Sequence, residues 1–300
     1  MSPSQTEQTN SASLETAAAG KAPAGAAPSA AAPEKVTFSF GRNWSDFVAG
    51  HLNPRREQLA LDSVKRFLRR DDLRGLSFLD IGCGSGLFSL AAWRLGARQI
   101  TSIDVDPFSV QCCQQMRERA DNPAHWRVEH GSVLDSAFLS RFEAADLVYA
   151  WGSLHHTGQM WQAIRNAAGM VRPGGLIDLA IYNRVEGRGS SEYWLKQKKT
   201  YNRASKVGKR VREVLYALRY GLVPQVIRLK NPARYFRTYG ENRGMSYWTD
   251  ARDWLGGYPY EYASTAEIFH FCHDELGMEL ENLRATNSLG TNEFLFRRRA

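Results

Sequence analysis

The chain has 300 residues, 43% of them hydrophobic, and a formal net charge of +8 at pH 7. That length and composition can bury a sizeable core, whereas no apolar run approaches the about 20 residues that a membrane-spanning helix needs. The four cysteines show no C-x-x-C spacing and the N-terminus lacks the pattern of a signal peptide, so we expect a soluble cytoplasmic protein with reduced thiols and no metal site.

The positive charge is concentrated in one stretch of the chain. Residues 184–243 hold 16 Lys or Arg and 4 Asp or Glu, a balance of +12, which leaves −4 for the remaining residues. The basic character therefore belongs to a single segment and is not spread over the whole chain.

The N-terminal part divides into two segments of different composition. Residues 1–34 consist mainly of Ala, Ser, Pro, Gln and Thr without an aromatic residue, so we expect a disordered tail that cannot offset the entropy lost on ordering. Residues 35–74 then bring the aromatics Phe40, Trp44 and Phe47, and we expect a helical lid there. Two interpretations of these aromatics stay open: packing on the sheet edge, or closure over a bound ligand.

An apolar run that contains Asp80 is followed by glycines at three alternate positions, Gly82, Gly84 and Gly86. This pattern predicts a buried strand that turns tightly into a helix. Glycine adopts positive φ and lets the backbone approach a ligand closely, and the helix would aim its N-terminal amides at the same ligand. The spacing is G-x-G-x-G, which differs from the dinucleotide-binding G-x-G-x-x-G.

A second predicted strand ends at Asp104, 22 residues after Gly82, where a carboxylate can accept hydrogen bonds from both hydroxyls of a ribose. Through residues 79–86 and Asp104, the chain resembles the class I S-adenosylmethionine-dependent methyltransferases. The resemblance implies an α/β fold with a seven-stranded Rossmann-like sheet, helices on both faces and a C-terminal antiparallel hairpin, to which this chain adds a mostly helical insertion cap. It also implies S-adenosyl-L-methionine as the cofactor.

The resemblance covers residues 75–183, which we expect to form the cofactor-binding core, and returns in residues 264–300, which we expect to complete the sheet. It places the cofactor-binding candidates on the glycine turn, at the ends of the strands and on the lid: Trp44, Asp80, Gly82, Cys83, Gly84, Gly86, Asp104, Val105, Ser132, Val133 and Trp151. Asp135 is either an acceptor for the adenine amine or the cap of the next helix.

Two histidines, His155 and His156, follow the fourth predicted strand. In open α/β sheets, ligands bind outside the carboxyl ends of the strands, so this turn would face the transferred methyl group. Histidine is the natural base near neutral pH, so one of the pair is a candidate catalytic base; the alternative is a structural or substrate-orienting role. At the end of the fifth strand, Tyr182 is a further catalytic candidate and Asn183 a substrate-binding candidate.

Residues 184–263 form a basic insertion between the two parts of the sheet. Val and Leu recur at helical spacing among Lys and Arg over residues 206–222, which predicts an amphipathic basic helix. Three interpretations stay open: a cap packed over the substrate site, a membrane-surface helix, and a nucleic-acid-binding face. The aromatic-rich stretch that follows is interpreted as a pocket wall with the substrate-binding candidates Tyr247, Trp248 and Tyr258.

These features favour a methyltransferase that acts on a small molecule, by O-methylation of a phenol, quinol or sugar-like acceptor through in-line displacement. Its nucleotide domain is similar to the ubiquinone-pathway O-methyltransferases. The basic insertion suggests an anionic or membrane-associated acceptor, with peripheral membrane contact. The alternative is an RNA methyltransferase whose insertion binds phosphates, although the Asn-Pro-Pro-Tyr and Pro-Cys motifs typical of nucleobase methylation are missing from the sequence.

Overall fold

The computed structural model describes Gly41 and residues 53–243 and 247–300, and of residues 240–243 only the backbone. The expected disordered tail, residues 1–34, lies outside the described residues, as do Phe40, Trp44 and Phe47. The interpretations of these segments therefore stay predictions.

Seven strands form one sheet: β1 (Ser77–Ile81), β2 (Gln99–Asp104), β3 (Trp126–His130), β4 (Ala145–Trp151), β5 (Val171–Tyr182), β6 (Met278–Arg284) and β7 (Thr291–Arg298). They lie in the order β3-β2-β1-β4-β5-β7-β6, and β7 runs antiparallel to both of its neighbours. The strand order reverses between β1 and β4, which is where open α/β sheets bind ligands. The predicted seven-stranded sheet with a C-terminal antiparallel hairpin is confirmed.

The helices of the described chain are, in order, α1 (Pro54–Leu68), α2 (Leu87–Arg94), α3 (Pro107–Arg119), α4 (Ser136–Leu139), α5 (Met160–Gly169), α6 (Ser191–Arg203), α7 (Lys206–Tyr216), α8 (Val223–Ile227), α9 (Pro232–Arg243), α10 (Tyr247–Gly256) and α11 (Thr265–His270). A 3-10 turn covers Leu154–His156, and π-helical turns cover Ala217–Leu222 and Phe271–Glu275.

Alternate strand residues point to opposite faces of the sheet, and helices cover both faces. Phe78 and Leu147 belong to the core under α1, α2 and α3. Their neighbours Leu79 and Val148 belong to the core under α5 and α11. The sheet is therefore buried on both sides, which explains why its central strands are apolar almost throughout.

Polar side chains fix where several helices begin. The Asn53 side chain accepts from the amide of Arg56 at 3.1 Å, with Pro54 in the first turn of α1. Asp106 caps α3 in the same way through the amide of Phe108, at 2.9 Å. Such caps satisfy amides that have no partner inside the helix.

The insertion leaves the sheet at Asn183 and returns to it at Ala263, and these two residues form a parallel β-bridge. The amide of Arg184 donates to the carbonyl of Ala263 at 3.0 Å, and the amide of Ala263 donates to the carbonyl of Tyr182 at 3.0 Å. Between these points, α6, α7 and α10 contribute to a small aromatic cluster around Trp194, and α9 and α10 contribute to a second one around Tyr247. Within the described residues, no helix has both the length and the apolar character that a membrane crossing requires.

Candidate active site

The glycine turn follows β1 directly and is held from both sides. Gly82 and Gly86 have φ values of 75° and 77°, which side chains with a Cβ rarely adopt. A Cβ at Gly82 would lie 2.3 Å from Cβ of Ser153, and one at Gly86 would lie 2.7 Å from Cα of Cys113. Glycine is thus required both by the backbone conformation and by the close approach of neighbouring chain segments.

Asp104 joins the end of β2 to this turn. Its carboxylate accepts from the amide of Gly84 at 3.0 Å and from the amide of Asp106 at 2.8 Å. Burial raises the pKa of Asp104 to about 6, and the two amides act in the opposite direction. The carboxylate is therefore ionised above pH 6 and lies beside the turn, at the carboxyl edge of the sheet.

Asp80, the next cofactor-binding candidate, is buried in the core. It is 3% exposed, and its carboxylate accepts from the hydroxyl of Ser89 on α2 at 2.6 Å. Ser89 is linked to Ser102 on β2, which accepts from the Trp126 indole at 2.9 Å. Burial raises the pKa of Asp80 to about 7. Asp80 thus connects β1, β2 and α2 below the turn.

The other cofactor-binding candidates, Trp44 excepted because it lies outside the described residues, follow the carboxyl ends of four neighbouring strands. Cys83 is buried beside Cys113, and the hydrogen bond with that thiol, together with burial, raises the pKa of Cys83 well above its usual range. Val105 is exposed, Val133 is buried and Ser132 lies between these extremes. The half-exposed Trp151 donates its indole N–H to Glu293 at 3.1 Å. Asp135 caps α4 through the amide of Phe138, at 3.0 Å.

His155 and His156 form the 3-10 turn after β4 and pack against Tyr182 at the end of β5. The ring centroid of Tyr182 lies 4.0 Å from that of His155 and 5.5 Å from that of His156. His155 is fully buried, whereas His156 is partly exposed. Asp104 ends β2, and in the sheet order β4 is two strands away and β5 three. Since neighbouring strands lie about 4.8 Å apart, the histidine turn after β4 is roughly 10 Å along the sheet edge from Asp104, and the end of β5 roughly 14 Å.

Both imidazoles are neutral at physiological pH. Burial lowers the pKa of His155 well below its ordinary value and lowers that of His156 to about 3. His156 Nδ1 lies 2.6 Å from the carbonyl oxygen of Pro259. A neutral ring that donates there carries its proton on Nδ1, which leaves Nε2 as an acceptor. Nδ1 of His155 has no hydrogen-bond partner.

A buried lysine that the sequence prediction missed lies behind the histidines. Lys198 on α6 is fully buried; its amine donates to the carbonyl of Trp254 and lies 4.4 Å and 4.8 Å from the ring centroids of Trp254 and Tyr260. Burial lowers the pKa of Lys198 to about 7. Its charge also lowers the pKa values of His155 and His156. The helical spacing of Trp194, Lys198 and Tyr201, all inward-facing, is the sequence signal that identifies it.

The remaining candidates are distributed unevenly around this cluster. Asn183 is buried, and its amide is engaged by the carbonyls of Thr286 and Ser288 and by Asn292. Tyr258 is buried in the loop that also supplies Pro259. Tyr247 packs in the separate aromatic cluster around α9 and α10, and the partly exposed Trp248 lies beside it. Tyr258 therefore precedes the residue whose carbonyl faces His156, whereas Tyr247 and Trp248 lie in a different aromatic cluster.

No group of three or more His, Cys, Asp or Glu side chains is placed to bind a metal ion, within the part of the chain that the structure describes.

Residues 79–177 match a family model described as a methyltransferase domain. Ubiquinone biosynthesis O-methyltransferase of Methylobacterium sp. (strain 4-46) is 34% identical over 143 residues, which are 46% of this chain and 55% of that protein. The protein of the same name from Xanthomonas oryzae pv. oryzae (strain PXO99A) is 35% identical over 134 residues, 45% of this chain and 52% of that one. The chain thus spans about half the length of the curated relatives that it matches.

Two solved structures share the fold at low sequence identity. An O-methyltransferase family protein from Burkholderia thailandensis has a TM-score of 0.50 and 16% identity, over 82% of this chain and 57% of that one. Magnesium protoporphyrin IX methyltransferase from Synechocystis PCC 6803, solved with bound S-adenosylhomocysteine, has a TM-score of 0.50 and 14% identity, over 86% of this chain and 93% of that one. Residues 79–177 of this chain therefore match a methyltransferase domain, and the chain shares the fold of these two solved methyltransferases.

Proposed function

We propose that this chain is an S-adenosylmethionine-dependent methyltransferase that methylates an oxygen of a small acceptor, a phenol, a quinol or a sugar-like molecule. The observation that carries the proposal is the Asp104 carboxylate, held 3.0 Å from the amide of Gly84 where β2 meets the glycine turn. That arrangement stands at the reversal of strand order, within the segment that matches a methyltransferase domain.

The residues present fit the proposed cofactor. The ionised Asp104 carboxylate offers two acceptor oxygens, which suit the two hydroxyls of a ribose. The glycine turn brings backbone amides to the same edge, and Val105, Ser132 and Val133 border it after β2 and β3. S-adenosyl-L-methionine would supply an electrophilic methyl group there.

The histidine turn suits the acceptor side of the site. In this proposal His156 Nε2 accepts a hydrogen bond from the substrate hydroxyl; the ring is partly exposed, and its Nδ1 faces the carbonyl of Pro259. A ring with a pKa of about 3 is a weak base. His156 would therefore orient the substrate hydroxyl and would accept its proton only as methylation of the oxygen makes that proton acidic. Burial raises the pKa of Tyr182 far above its usual value, so this phenol stays a hydrogen-bond donor.

Aromatic faces around the turn favour a flat or ring-shaped acceptor. Tyr182 lies 5.0 Å from Tyr260 and 6.1 Å from Trp254, measured between ring centroids. Such faces stack on aromatic rings and on the C–H faces of sugars. The relatives named ubiquinone biosynthesis O-methyltransferase agree with oxygen as the methylated atom.

Isothermal titration with S-adenosylhomocysteine tests the cofactor half of the proposal. The native protein should bind, and Asp104→Ala should weaken binding by roughly 10- to 100-fold, because charge-assisted hydrogen bonds contribute about 1.5–3 kcal/mol. Glu118→Ala, which removes an exposed carboxylate on α3, should leave affinity unchanged. Equal affinity of Asp104→Ala and the native protein would contradict the proposal.

The acceptor half is tested separately with methyl-labelled cofactor. Panels of phenols, quinols, sugars and RNA are incubated with the protein, and the products are identified by mass spectrometry. Label on an oxygen of a phenol, quinol or sugar supports the proposal. Label on nitrogen, carbon or RNA alone would overturn it while leaving cofactor binding intact.

A further inference from the structure

Part of the insertion presents large aliphatic side chains to solvent. Eight large hydrophobic residues in the described chain are more than half exposed, and six of them lie between residues 207 and 229. These six are Val207, Val211, Leu215, Val226, Ile227 and Leu229, with exposed fractions from 52% to 95%. An exposed apolar cluster of this extent marks an interaction surface more often than chance.

The two helices that carry this cluster, α7 and α8, bury a polar side chain and expose their apolar side chains. The residue that α7 buries is Glu213, and the residue that α8 buries is Gln225. Glu213 accepts from the hydroxyl of Tyr201 at 2.8 Å and pairs with Arg210 at 3.0 Å. A helix on a water-facing surface does the opposite and buries its apolar stripe. The polar contacts therefore hold α7 with its valines outward.

The same surface is strongly basic. Residues 201–240 hold ten Lys or Arg and one Asp or Glu, and that single acid is the buried Glu213. Lys206, Arg210, Arg219 and Arg228 are exposed among the aliphatic side chains. A partner that fits must accept aliphatic groups and supply negative charge.

An anionic lipid surface meets both requirements. Amphipathic helices with Lys and Arg beside large apolar residues lie in the plane of the bilayer interface, with the apolar side chains among the acyl chains. Juxtaposed Lys and Arg are attracted by anionic headgroups. A nucleic acid would supply the negative charge, but it is recognised by stacking and hydrogen bonding, for which Val, Leu and Ile are unsuited. Continuous helical turns over residues 206–227 span about 30 Å, at 1.5 Å per residue.

We propose that residues 206–230, which we name the docking segment, bind the surface of a bilayer that contains anionic lipid. The aliphatic side chains enter the interface, and the exposed Lys and Arg side chains contact the headgroups. This proposal is independent of the methyl acceptor. It rests on the outward apolar residues, the inward Glu213 and Gln225, and the charge of the segment.

Vesicle co-sedimentation of the full chain tests the proposal. Vesicles of phosphatidylcholine mixed with phosphatidylglycerol should bind the native protein, and vesicles of phosphatidylcholine alone should bind it far more weakly. Val211→Glu and Ile227→Glu should each lower the affinity for these vesicles by about tenfold or more. Each variant removes one aliphatic side chain from the bilayer interface, and the free energy of burying such a side chain corresponds to at least that factor. Leu59→Glu on α1, where Leu59 is 58% exposed, is the matched control and should bind like the native protein.

Each other outcome would overturn the proposal. Absence of binding to the anionic vesicles refutes it directly. Binding that salt removes but that neither glutamate variant weakens would mean electrostatic adsorption without insertion. Salt-dependent binding to RNA, without binding to vesicles, would assign the surface to nucleic acid. Circular dichroism checks that the variants stay folded, which we expect because the substituted positions are exposed.

Discussion

At the scale of single residues, burial decides which side chains carry charge in the candidate site. Lys198 and both histidines are ordinary titrating groups in water, but here burial lowers the pKa of all three. Both histidine rings are therefore neutral at physiological pH. The amine of Lys198 is charged in only a fraction of the protein molecules at pH 7. The chemistry of the site therefore depends on packing as much as on residue type.

Replacement of His156 by alanine should impair turnover without impairing cofactor binding. We expect the rate of methyl transfer to fall by about 10²-fold or more, within the range for a positioned proton acceptor. Affinity for S-adenosylhomocysteine should stay unchanged because the ring follows β4, two strands along the sheet from Asp104. Titration of this ring should not change the native rate of methyl transfer between pH 6 and pH 8, because its pKa is about 3. Full turnover by His156→Ala would refute the proposed role.

Lys198 should give the protein a stability that rises with pH. Its pKa is lowered from 10.5 to about 7, so above pH 7 the folded chain has released a proton that the unfolded chain retains. Stability therefore increases from pH 7 towards pH 10. Between pH 7 and pH 9 we expect the free energy of unfolding of the native protein to gain about 2 kcal/mol relative to Lys198→Met. Urea denaturation at both pH values measures this.

The exposed Lys206→Met serves as the control for that measurement and should follow the native protein. If Lys198→Met showed the same pH dependence as the native protein, the buried amine would not titrate in this range. Residue type alone could not reveal Lys198, because it lies in a run of three lysines over residues 196–199 whose other members are on the surface. The glycines and Asp104 were identifiable because their spacing is tied to one local geometry.

At the scale of elements, the glycine turn tolerates no side chain at its two ends. Gly86→Ala combines a positive φ with a contact against the backbone of Cys113, so we expect it to lower the free energy of unfolding by about 2–5 kcal/mol. Gly152 also has a φ of 77°, but no atom lies within 4 Å of the position of its Cβ. Gly152→Ala should therefore cost only the conformational strain, about 1–2 kcal/mol. Chemical denaturation compares the two, and equal losses would show that the contact with Cys113 is relieved.

The strands and their helices were predictable because burial on both faces imposes a local apolar pattern and the turns carry glycine or caps. The orientation of α7 was not. Its alternation of Val with Lys and Arg predicts an amphipathic helix, and the usual assumption turns the apolar side inward. Tyr201 on α6 donates a hydrogen bond to Glu213 on α7, and these two helices meet only in the folded chain. This bond turns the Glu213 side of α7 inward and its valines outward.

At the scale of the whole molecule, a row of ionisable groups crosses the interior of the sheet. Asp80 on β1 pairs with Tyr149 on β4, which pairs with Asp178 on β5. Burial raises the pKa of Asp80 to about 7 and that of Asp178 well above its ordinary value. Neither carboxylate oxygen of Asp178 has a hydrogen-bond partner among the described residues.

This row predicts that folding takes up protons. A carboxyl group whose folded pKa is raised contributes its stability below the unfolded pKa, and that stability is lost as pH rises through the folded pKa. For Asp80 the window runs from 3.8 to about 7. Asp80→Asn should therefore reduce the loss of stability between pH 5 and pH 8 by roughly 2–3 kcal/mol. The exposed Asp71→Asn is the control, and an unchanged slope in Asp80→Asn would show that Asp80 is ionised throughout.

Such a row cannot be predicted from sequence, because its members come from strands that lie far apart in the chain. Asp80 is a cofactor-binding candidate because it precedes the glycine turn, and that role stays a prediction; its carboxylate accepts from the hydroxyl of Ser89. The division of the chain into tail, lid, core and insertion rests on composition and on the family resemblance, and it stays a prediction.

The bridge between Asn183 and Ala263 has a consequence for how proteins of this architecture diversify. Because the insertion starts at Asn183 and ends at Ala263, and these two residues are bridged, the register of β5 and β7 does not depend on the length of the insertion. The entropy of closing a loop also grows slowly with its length. Segments of different size and character can therefore be exchanged at this junction by recombination, so that lineages acquire new acceptors or new locations while they inherit one unchanged donor-binding sheet.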